Sequence, residues 1–284
     1  MAVVEIRRLT AEDVATAVEI STSAGWNQTA ADWSALIALN PETSFGIDCE
    51  GRLVSTATLV CYGDRLAWVG MVLTRAEFRR QGFARLLLER VLGEAEARGV
   101  RTVKLDATEQ GAPLYAALGF IAEQPVERWV MPKWVVPGRD DASPRAASAR
   151  ALAPGARVPD ALAVELDTLA FGTDRETVLL RLGQSSQTLT AHDGYAMRRD
   201  GQRAAYLGPC VARTPQAAKR LIHAALRHNE GPCVWDLLPE NANAVRLARK
   251  LGFTPERRLV RMFRGEPLRA KEGWIYALAG FELG

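Results

Sequence analysis

The sequence predicts an α/β fold, a mixed β-sheet covered by helices, and it predicts that fold twice in one chain. Apolar segments with strand periodicity alternate with amphipathic helical segments along most of the sequence. A Pro-, Ala-, Arg- and Ser-rich stretch at 137–159, poor in large apolar residues, separates two such series. The 284 residues also exceed the usual length of one domain. We therefore predict domains at 1–138 and 160–284, joined by a linker at 139–159.

The first half begins with a strand at Val3–Arg8 and a helix that Thr10 and Asp13 start as a capping box. The next predicted elements are a helix at Ala30–Leu39, two strands around Glu50-Gly51-Arg52, a strand at Leu66–Thr74, a helix at Phe83–Arg98, a strand at Thr102–Asp106, a helix at Pro113–Leu118, and strands near Ala122–Val130 and Lys133–Val136. Gly99 and Gly119 follow two of these helices as stops.

The second half repeats this order, and part of it repeats the residues. Leu105–Phe120 (LDATEQGAPLYAALGF) aligns with Leu238–Phe253 (LPENANAVRLARKLGF) without a gap. The predicted elements are helices at Ala161–Ala170, Arg175–Leu182, Pro215–Arg227 and Asn243–Lys250, strands at His192–Arg198, Ala204–Val211 and Cys233–Leu238, and a hairpin-like tail. The second half is thus predicted to be a diverged copy of the first.

Composition excludes several classes of protein. Lys and Arg number 36 against 33 Asp and Glu, and no basic run is present, so nucleic acid is a poor partner. The N-terminus, MAVVEIRRLTAEDV, is not a signal peptide and no apolar run reaches membrane-spanning length. The 4 cysteines form no CxxC pair and the 3 histidines have no metal-ligand spacing. We expect a cytoplasmic, metal-free protein, monomeric or homodimeric.

The segment Ala67–Leu92 carries the chemistry. An apolar strand runs into Arg79-Arg80-Gln81-Gly82-Phe83-Ala84, and an amphipathic helix starts at once. Unpaired N–H groups and the positive end of the helix dipole then meet at one place, which favours a phosphate. Gly82 lacks a Cβ, so a pyrophosphate can approach the backbone. No GxxxxGK[ST] or GxGxxG motif follows any strand, which excludes the P-loop and Rossmann alternatives.

This segment resembles the acetyl-CoA-binding motif Q/R-x-x-G-x-G/A of the GCN5-related N-acetyltransferase (GNAT) superfamily, with Arg79, Gly82 and Ala84 at the fixed positions. The resemblance implies that Arg79–Ala84 hold the pyrophosphate of acetyl-CoA. It also implies that Val72, Leu73 and Thr74 form a bulged strand whose backbone contacts the pantetheine arm, beside a splayed strand at Val103–Ala107. Leu114–Phe120 (LYAALGF) matches the family's second block. Tandem GNAT folds, each with a V-shaped splay in its sheet, are the implied architecture.

Two features qualify the resemblance. Thr108 stands where many members have Asn, so its contact to pantetheine or to the helix start would be made through a hydroxyl. The second half resembles the degenerate GNAT-like domain of two-domain bacterial acetyltransferases: it has Ala248 at the position of Tyr115, no glycine in the turn, and Pro215, which removes an N–H donor. We expect one cofactor site, in the first domain.

The resemblance makes Tyr115 the proton donor to the leaving thiolate, since a phenol near pKa 10 is close to a thiol near 8.5. A backbone N–H near Val72 would stabilise the oxyanion. Asp106 is the candidate general base, with Glu109 as an alternative and Asp32, Asp236 and Gly284 as weaker ones. A core role for Tyr115 and a structural role for each carboxylate remain open.

The resulting expectation is an N-acetyltransferase acting on the primary amine of a small molecule by direct attack in a ternary complex. Trp26, in the first helical region, could contact that acceptor, although core packing is the commoner role of such a residue. Two alternatives remain open at this point. One is acylation of a peptide or protein, and the other is a non-catalytic module that binds acyl-CoA.

Overall fold

The computed structural model describes residues 3–132, 150–151, 160–227 and 229–284. The chain forms two compact units, each discontinuous in sequence. Unit 1 contains 1–124, 260–268 and 281–284, and unit 2 contains 125–259 and 269–280. The predicted strand at Lys133–Val136 and the predicted boundaries at 138 and 159 lie outside the described residues, so the domain limits stay a prediction.

Within the described residues the helices and strands follow the predicted order, except that two observed strands, at Arg150–Ala151 and Ser186–Ala191, were not predicted. Those of the first half are β1 (Val4–Arg8), α1 (Val14–Ser23), α2 (Ala30–Leu39), β2 (Ser44–Cys49), β3 (Arg52–Tyr62), β4 (Leu66–Thr74), α3 (Phe83–Ala97), β5 (Thr102–Ala107), α4 (Ala112–Ala117) and β6 (Ile121–Met131). Those that follow are β7 (Arg150–Ala151), α5 (Ala161–Phe171), α6 (Glu176–Gly183), β8 (Ser186–Ala191), β9 (Gly194–Arg199), β10 (Ala205–Ala212), α7 (Pro215–Leu226), β11 (Cys233–Leu237), α8 (Ala242–Lys250), β12 (Thr254–Gly265) and β13 (Ile275–Ala277).

The sheet of unit 1 has the strand order β1-β2-β3-β4-β5-β12. Only β4 and β5 run parallel among these neighbours, and the other pairs are antiparallel. Helix α3 covers one face, where Leu87 and Val91 pack against Leu59, Val69 and Leu105. Because side chains alternate along a strand, Trp68 and Gly70 point to the opposite face, on which α1 and α2 lie against β3. That second face carries much of the site described below.

The sheet of unit 2 has the order β6-β11-β10-β9-β8-β7, and β13 pairs with β10. Its single parallel pair is β10 with β11, as in unit 1. A separate core surrounds α7, where Leu221, Trp235 and Phe253 are buried. Arg150 and Ala151, assigned to the linker from composition, instead pair with Thr190 and Leu189 of β8.

The last sheet strand of each half-sequence belongs to the unit formed mainly by the other half. β6 follows α4, yet its residues Glu127–Met131 pair with β11 in unit 2. β12 follows α8, yet its residues Val260–Gly265 pair with β5 in unit 1. Sequence order alone assigned 260–268 and 281–284 to the second domain, whereas strand pairing places them in unit 1.

Candidate functional site

Strands β4 and β5 begin as a parallel pair and then separate. Their register covers Leu66 with Thr102, Ala67 with Val103 and Trp68 with Lys104, and no pairing follows beyond Trp68. The second halves of the strands, Val69–Thr74 and Leu105–Ala107, therefore flank a wedge-shaped opening in the sheet. This is the splay that the sequence resemblance implied.

A β-bulge lies in β4 at this opening. Thr58 of β3 pairs with Gly70 and Thr56 pairs with Leu73, so β4 has one residue more than β3 over this interval. Met71, within the bulge, adopts a left-handed backbone conformation with a φ of 51°. The bulge confirms the irregular fourth strand predicted around Val72, and it releases main-chain groups at Met71 and Val72 from the ladder.

Hydroxyl groups on β3 fix the bulged backbone, which sequence reasoning missed. Thr56 Oγ1 donates to the carbonyl oxygen of Met71 at 2.8 Å, and Ser55 Oγ donates to that of Leu73 at 2.8 Å. Both β3 residues are fully buried. The signal was available in the sequence, because serine and threonine interrupt the otherwise apolar strand Leu53–Tyr62.

The predicted anion-binding turn follows β4 and ends in the N-terminus of α3. Arg80 has a φ of 64° and Gly82 a φ of 86°, and Gly82 is the N-cap of α3. Within the described part of the chain, the main-chain N–H groups from Arg80 to Arg85 donate no hydrogen bond to a backbone carbonyl. A Cβ at Gly82 would meet nothing within 4 Å, so the space beside the turn is open. Successive N–H groups that converge beside a helix N-terminus form an anion-binding site.

The arginines of this turn have different surroundings. Arg79 Nε donates to the carbonyl oxygen of Thr74 at 3.1 Å and so closes the end of β4. Arg85 pairs with Glu89 on α3 at 3.6 Å, which reduces its contribution to the site. Arg80 is exposed. The positive charge at the turn thus comes mainly from Arg79, Arg80 and the helix dipole.

Tyr115 lies on α4 with its ring edge against Phe120, at a centroid distance of 6.1 Å. Gly111 makes room for this ring, since a Cβ there would lie 3.0 Å from Tyr115 Cε2. Desolvation by burial raises the pKa of Tyr115 to about 12. The phenol therefore keeps its proton at neutral pH, as a proton donor must.

Thr108 marks the start of α4. Its Oγ1 accepts a hydrogen bond from the N–H of Gly111 at 3.0 Å. Of the two contacts considered for Thr108, the structure shows the one to the helix start. A contact between Thr108 and a cofactor stays a prediction.

Asp106 does not have the surroundings of a general base. Both of its carboxylate oxygens accept hydrogen bonds from Arg261 of β12, at 2.9 and 3.0 Å, and both side chains are buried. The Arg261 guanidinium also lies over the Trp68 ring, 4.6 Å from its centroid. A proton on Asp106 would disrupt this pair and leave a buried cation uncompensated. The structure shows Asp106 as the ion-pair partner of Arg261, an arrangement that disfavours proton transfer, and its role as general base stays a prediction.

The alternative bases are no better placed. Asp32 caps α2, where its Oδ2 accepts from the N–H and the hydroxyl of Thr29 at 2.8 Å each. Asp236 belongs to unit 2, where it binds Arg128 and the hydroxyl of Tyr206. Glu109 is exposed.

Residues 281–284 lie against β3 and β4 in unit 1. Trp68 Nε1 donates to the carbonyl oxygen of Phe281 at 2.8 Å, and the Tyr62 hydroxyl donates to that of Leu283 at 2.7 Å. Glu282 lies directly over Gly70, and its Oε2 accepts from Gln28 Nε2 at 3.2 Å. Neither Glu282 nor Gln28 was predicted as a site residue, because no local pattern connects positions so distant in sequence.

Unit 2 contains a comparable bulge and parallel pair, but its opening is filled. β10 has one extra residue between Leu207 and Cys210, and its pairing with β11 ends at Leu207 with Trp235. β13 occupies the space beyond: it pairs with Cys210 and Val211, and Trp235 Nε1 donates to the carbonyl oxygen of Tyr276 at 2.7 Å.

The helix that follows this strand in unit 2 also lacks the anion-binding turn. α7 begins with Pro215, and Thr214 Oγ1 accepts from the N–H of Ala217 at 3.2 Å. Asn241, aligned with Thr108, donates to the carbonyl oxygen of Ile275 at 2.8 Å and so holds β13 in place.

Across the described part of the chain, no cluster of three or more His, Cys, Asp or Glu side chains could hold a metal ion. No helix in the described residues has the length and apolar character needed to cross a membrane.

Comparisons with known proteins agree with this architecture. Residues 11–120 match the acetyltransferase (GNAT) family, and residues 163–277 match an acetyltransferase (GNAT) domain. An uncharacterised N-acetyltransferase of Bacillus subtilis (strain 168), YitH, is 23% identical, and the alignment covers 99% of this chain and 98% of that protein.

Solved structures show the same fold over nearly the whole length. A putative acetyltransferase from Pyrococcus horikoshii is 20% identical with a TM-score of 0.87, covering 99% of this chain and 96% of that one. A tandem GNAT protein from the clavulanic acid biosynthesis pathway, solved without AcCoA, is 17% identical with a TM-score of 0.65, covering 94% and 100%.

Proposed function

Because this chain belongs to the acetyltransferase (GNAT) family, with a GNAT domain in each half, we propose that unit 1 transfers an acetyl group from acetyl-CoA to the primary amine of a small molecule. The observation that carries the proposal is the combination of the bulged, splayed β4 with the open N–H groups of Arg80–Ala84 in the turn that follows it. The structure of the tandem GNAT protein from the clavulanic acid pathway is specified as the form without AcCoA, and this reference to AcCoA supports the same donor here.

The residues present fit this donor. The N–H groups of Arg80–Ala84 and the charges of Arg79 and Arg80 would hold the pyrophosphate. The open space beside Gly82 gives it room. The main-chain edge of Val72–Thr74 that faces the opening would pair with the amides of the pantetheine arm, as one strand adds to another. When bound, acetyl-CoA supplies the thioester at which the amine reacts.

The chain's own residues would then perform three tasks. The wedge between β4 and β5 holds the thioester between two strands and away from bulk water. The N–H of Val72, released by the bulge, would donate to the carbonyl oxygen as negative charge develops there. Tyr115, which is protonated at neutral pH, would give its proton to the departing sulfur, although its raised pKa of about 12 makes it a weaker acid than an ordinary phenol.

A covalent route through cysteine has no support in the geometry. Cys49, the last residue of β2, is buried. Desolvation raises the pKa of the Cys61 thiol, which disfavours the thiolate. We therefore propose direct attack by the amine in a ternary complex. In unit 2, β13 fills the opening and Thr214 caps α7. We therefore propose that unit 2 binds no cofactor and has a supporting, structural role.

The proposal is tested with a panel of primary amines and short peptides, incubated with acetyl-CoA while free thiol is measured. Turnover with at least one small amine, and its loss in a Gly82→Asp variant, is the expected result. Tight CoA binding without turnover on any amine would refute catalysis and favour a module that senses acyl-CoA. Turnover on peptides alone would replace the small-molecule acceptor with a protein N-terminus or lysine.

A further inference from the structure

We propose that Glu282, Gln28 and Thr58 form the binding site for the ammonium group of the acceptor, with Glu282 as the carboxylate that takes its proton. This inference rests on the proposed function, because it assigns the acceptor side of the same site. It also narrows the substrate class to amines that are cationic in solution. The three residues are called the oxygen cluster below.

The backbone brings the oxygen cluster together at Gly70. A Cβ on Gly70 would lie 2.8 Å from Glu282 Cβ and 2.9 Å from Glu282 Cα, so only glycine lets Glu282 reach β4 here. Thr58 is the cross-strand partner of Gly70. Directly opposed residues of an antiparallel pair share a face, with Cβ positions about 4.5–5.5 Å apart. Thr58 therefore points to the face on which Glu282 lies.

Two atoms of the oxygen cluster are buried without a hydrogen-bond partner. Thr58 Oγ1 has none, and its residue is 0% exposed. Gln28 Oε1 has none either, while its Nε2 donates to Glu282 Oε2 at 3.2 Å. Buried polar atoms are nearly always paired in folded proteins, so orphaned ones need an explanation. A ligand with several N–H donors would satisfy both.

An ammonium group matches this set of atoms. It carries one positive charge and three N–H donors, and the oxygen cluster offers a carboxylate, an amide oxygen and a hydroxyl oxygen. Hydrogen bonds between an ammonium and a carboxylate are among the stronger kinds in proteins. Glu282 is 5% exposed, so a cation bound there would be shielded from water.

The position of the oxygen cluster places the amine beside the bulge. Gly70 immediately precedes Met71, where β4 departs from the ladder. In the proposed step the ammonium gives a proton to the Glu282 carboxylate, and the neutral nitrogen attacks the thioester carbonyl carbon. A C–N bond forms and the C–S bond breaks. The sulfur takes the Tyr115 proton, the second proton lost by the nitrogen replaces it on Tyr115, and Glu282 releases its proton to solvent. One proton leaves the site in total, and no oxidant or metal is needed.

Two substitutions in the oxygen cluster test the proposal. Glu282→Gln keeps the size of the side chain and an oxygen for Gln28, but removes the charge. We expect acetyl-CoA affinity within twofold of wild type and a fall of at least a hundredfold in kcat/KM for the best amine of the panel. Glu282→Asp keeps the charge, so binding of the cation should be retained while kcat falls.

Thr58→Val removes an unpartnered hydroxyl with little change of shape. We expect about a tenfold fall in kcat/KM for the amine, with a melting temperature equal to or above that of wild type. Thr188→Val in β8 of unit 2 is the matched control, because Thr188 Oγ1 is also buried without a partner. It should show the same thermal behaviour and unchanged kinetics. A purely structural role of Thr58 would make the two variants alike.

Direct binding separates this inference from the proposed function. Hexylamine and its neutral isostere 1-hexanol are titrated into CoA-saturated protein by calorimetry. Wild type should bind hexylamine at least tenfold more tightly than hexanol, and Glu282→Gln should lose that preference. If no amine is turned over but this Glu282-dependent preference is present, the proposed function fails and the oxygen cluster stands.

The opposite results overturn the inference. If wild-type protein turns over amines and Glu282→Gln retains more than half of the wild-type kcat/KM, the oxygen cluster is wrong and the proposed function stands. Equal affinity of wild type for hexylamine and hexanol also refutes the cluster. Absence of both turnover and cation preference would refute both proposals.

Discussion

Replacing Gly82 by aspartate tests the anion-binding turn with a calculable effect. Gly82 has a φ of 86°, a left-handed conformation that destabilises a protein by roughly 1 kcal/mol when another residue adopts it. Aspartate tolerates this conformation better than most residues. The new Cβ enters open space and clashes with nothing. The variant should therefore fold with a modest loss of stability.

The effect on cofactor binding should be much larger. A carboxylate about 5 Å from a pyrophosphate repels each of two negative charges by about 0.8 kcal/mol in water and about 3 kcal/mol at an effective dielectric of 20. The sum, about 1.6–6 kcal/mol, corresponds to a loss of CoA affinity of at least about 15-fold. Calorimetric titration of CoA measures it.

Gly252→Asp in unit 2 is the matched control. Gly252 has a φ of 85° and likewise nothing within 4 Å of a new Cβ, so the backbone cost is the same. Gly252→Asp should lower the melting temperature further than Gly82→Asp, because a carboxylate is favoured at the N-terminus of α3 and disfavoured just past the C-terminus of α8. Only Gly82→Asp should lose CoA. If Gly82→Asp binds CoA within threefold of wild type, the pyrophosphate does not lie at this turn.

Further predictions concern the opening in β4 and its surroundings. Tyr115→Phe should lower kcat more than it changes CoA affinity. The folded protein has a Tyr115 pKa of about 12 and an unfolded tyrosine ionises near 10, so wild type should lose more stability than this variant as pH rises from 10 to 12. Urea unfolding measures this difference. An unchanged kcat would make Tyr115 a packing residue. Asp106→Asn should destabilise the protein by about 3–5 kcal/mol in urea unfolding, since buried Arg261 loses its counter-charge; full stability with lost turnover would restore Asp106 as the base. Gly70→Ala should displace Glu282 and lower amine turnover. Gly93→Ala is the control, because Gly93 is exposed on α3 and a new Cβ there would meet nothing within 4 Å; this variant should raise the free energy of unfolding by about 0.5–1 kcal/mol and leave turnover unchanged.

The features predicted correctly from the sequence are local ones. β4 runs from Leu66 to Thr74 as predicted, and α3 starts at Phe83. A strand, a turn with Gly82 and an amphipathic helix lie in one continuous stretch, so propensity and motif both report on them. The residues that hold the bulge, Ser55 and Thr56, were equally readable, as polar interruptions of an apolar strand.

The features missed from the sequence depend on distant pairings. Arg261 lies 155 residues from Asp106, and Glu282 lies 254 residues from Gln28. No periodicity links such positions, because the pairing of β12 with β5 is set by packing of the whole unit. Asp106 therefore resembled a free carboxylate at a strand end, and Glu282 resembled part of a tail.

The exchange of the last sheet strands has a consequence for how the protein folds during synthesis. Unit 1 needs residues 260–268 and 281–284, which follow residues 125–259 of unit 2 in the chain. Its sheet can close against β5 only after that long intervening segment has been made, so its native contacts span large sequence separations, and such topologies fold slowly. A nascent chain of the first 124 residues would expose the edge of β5 and require protection from aggregation.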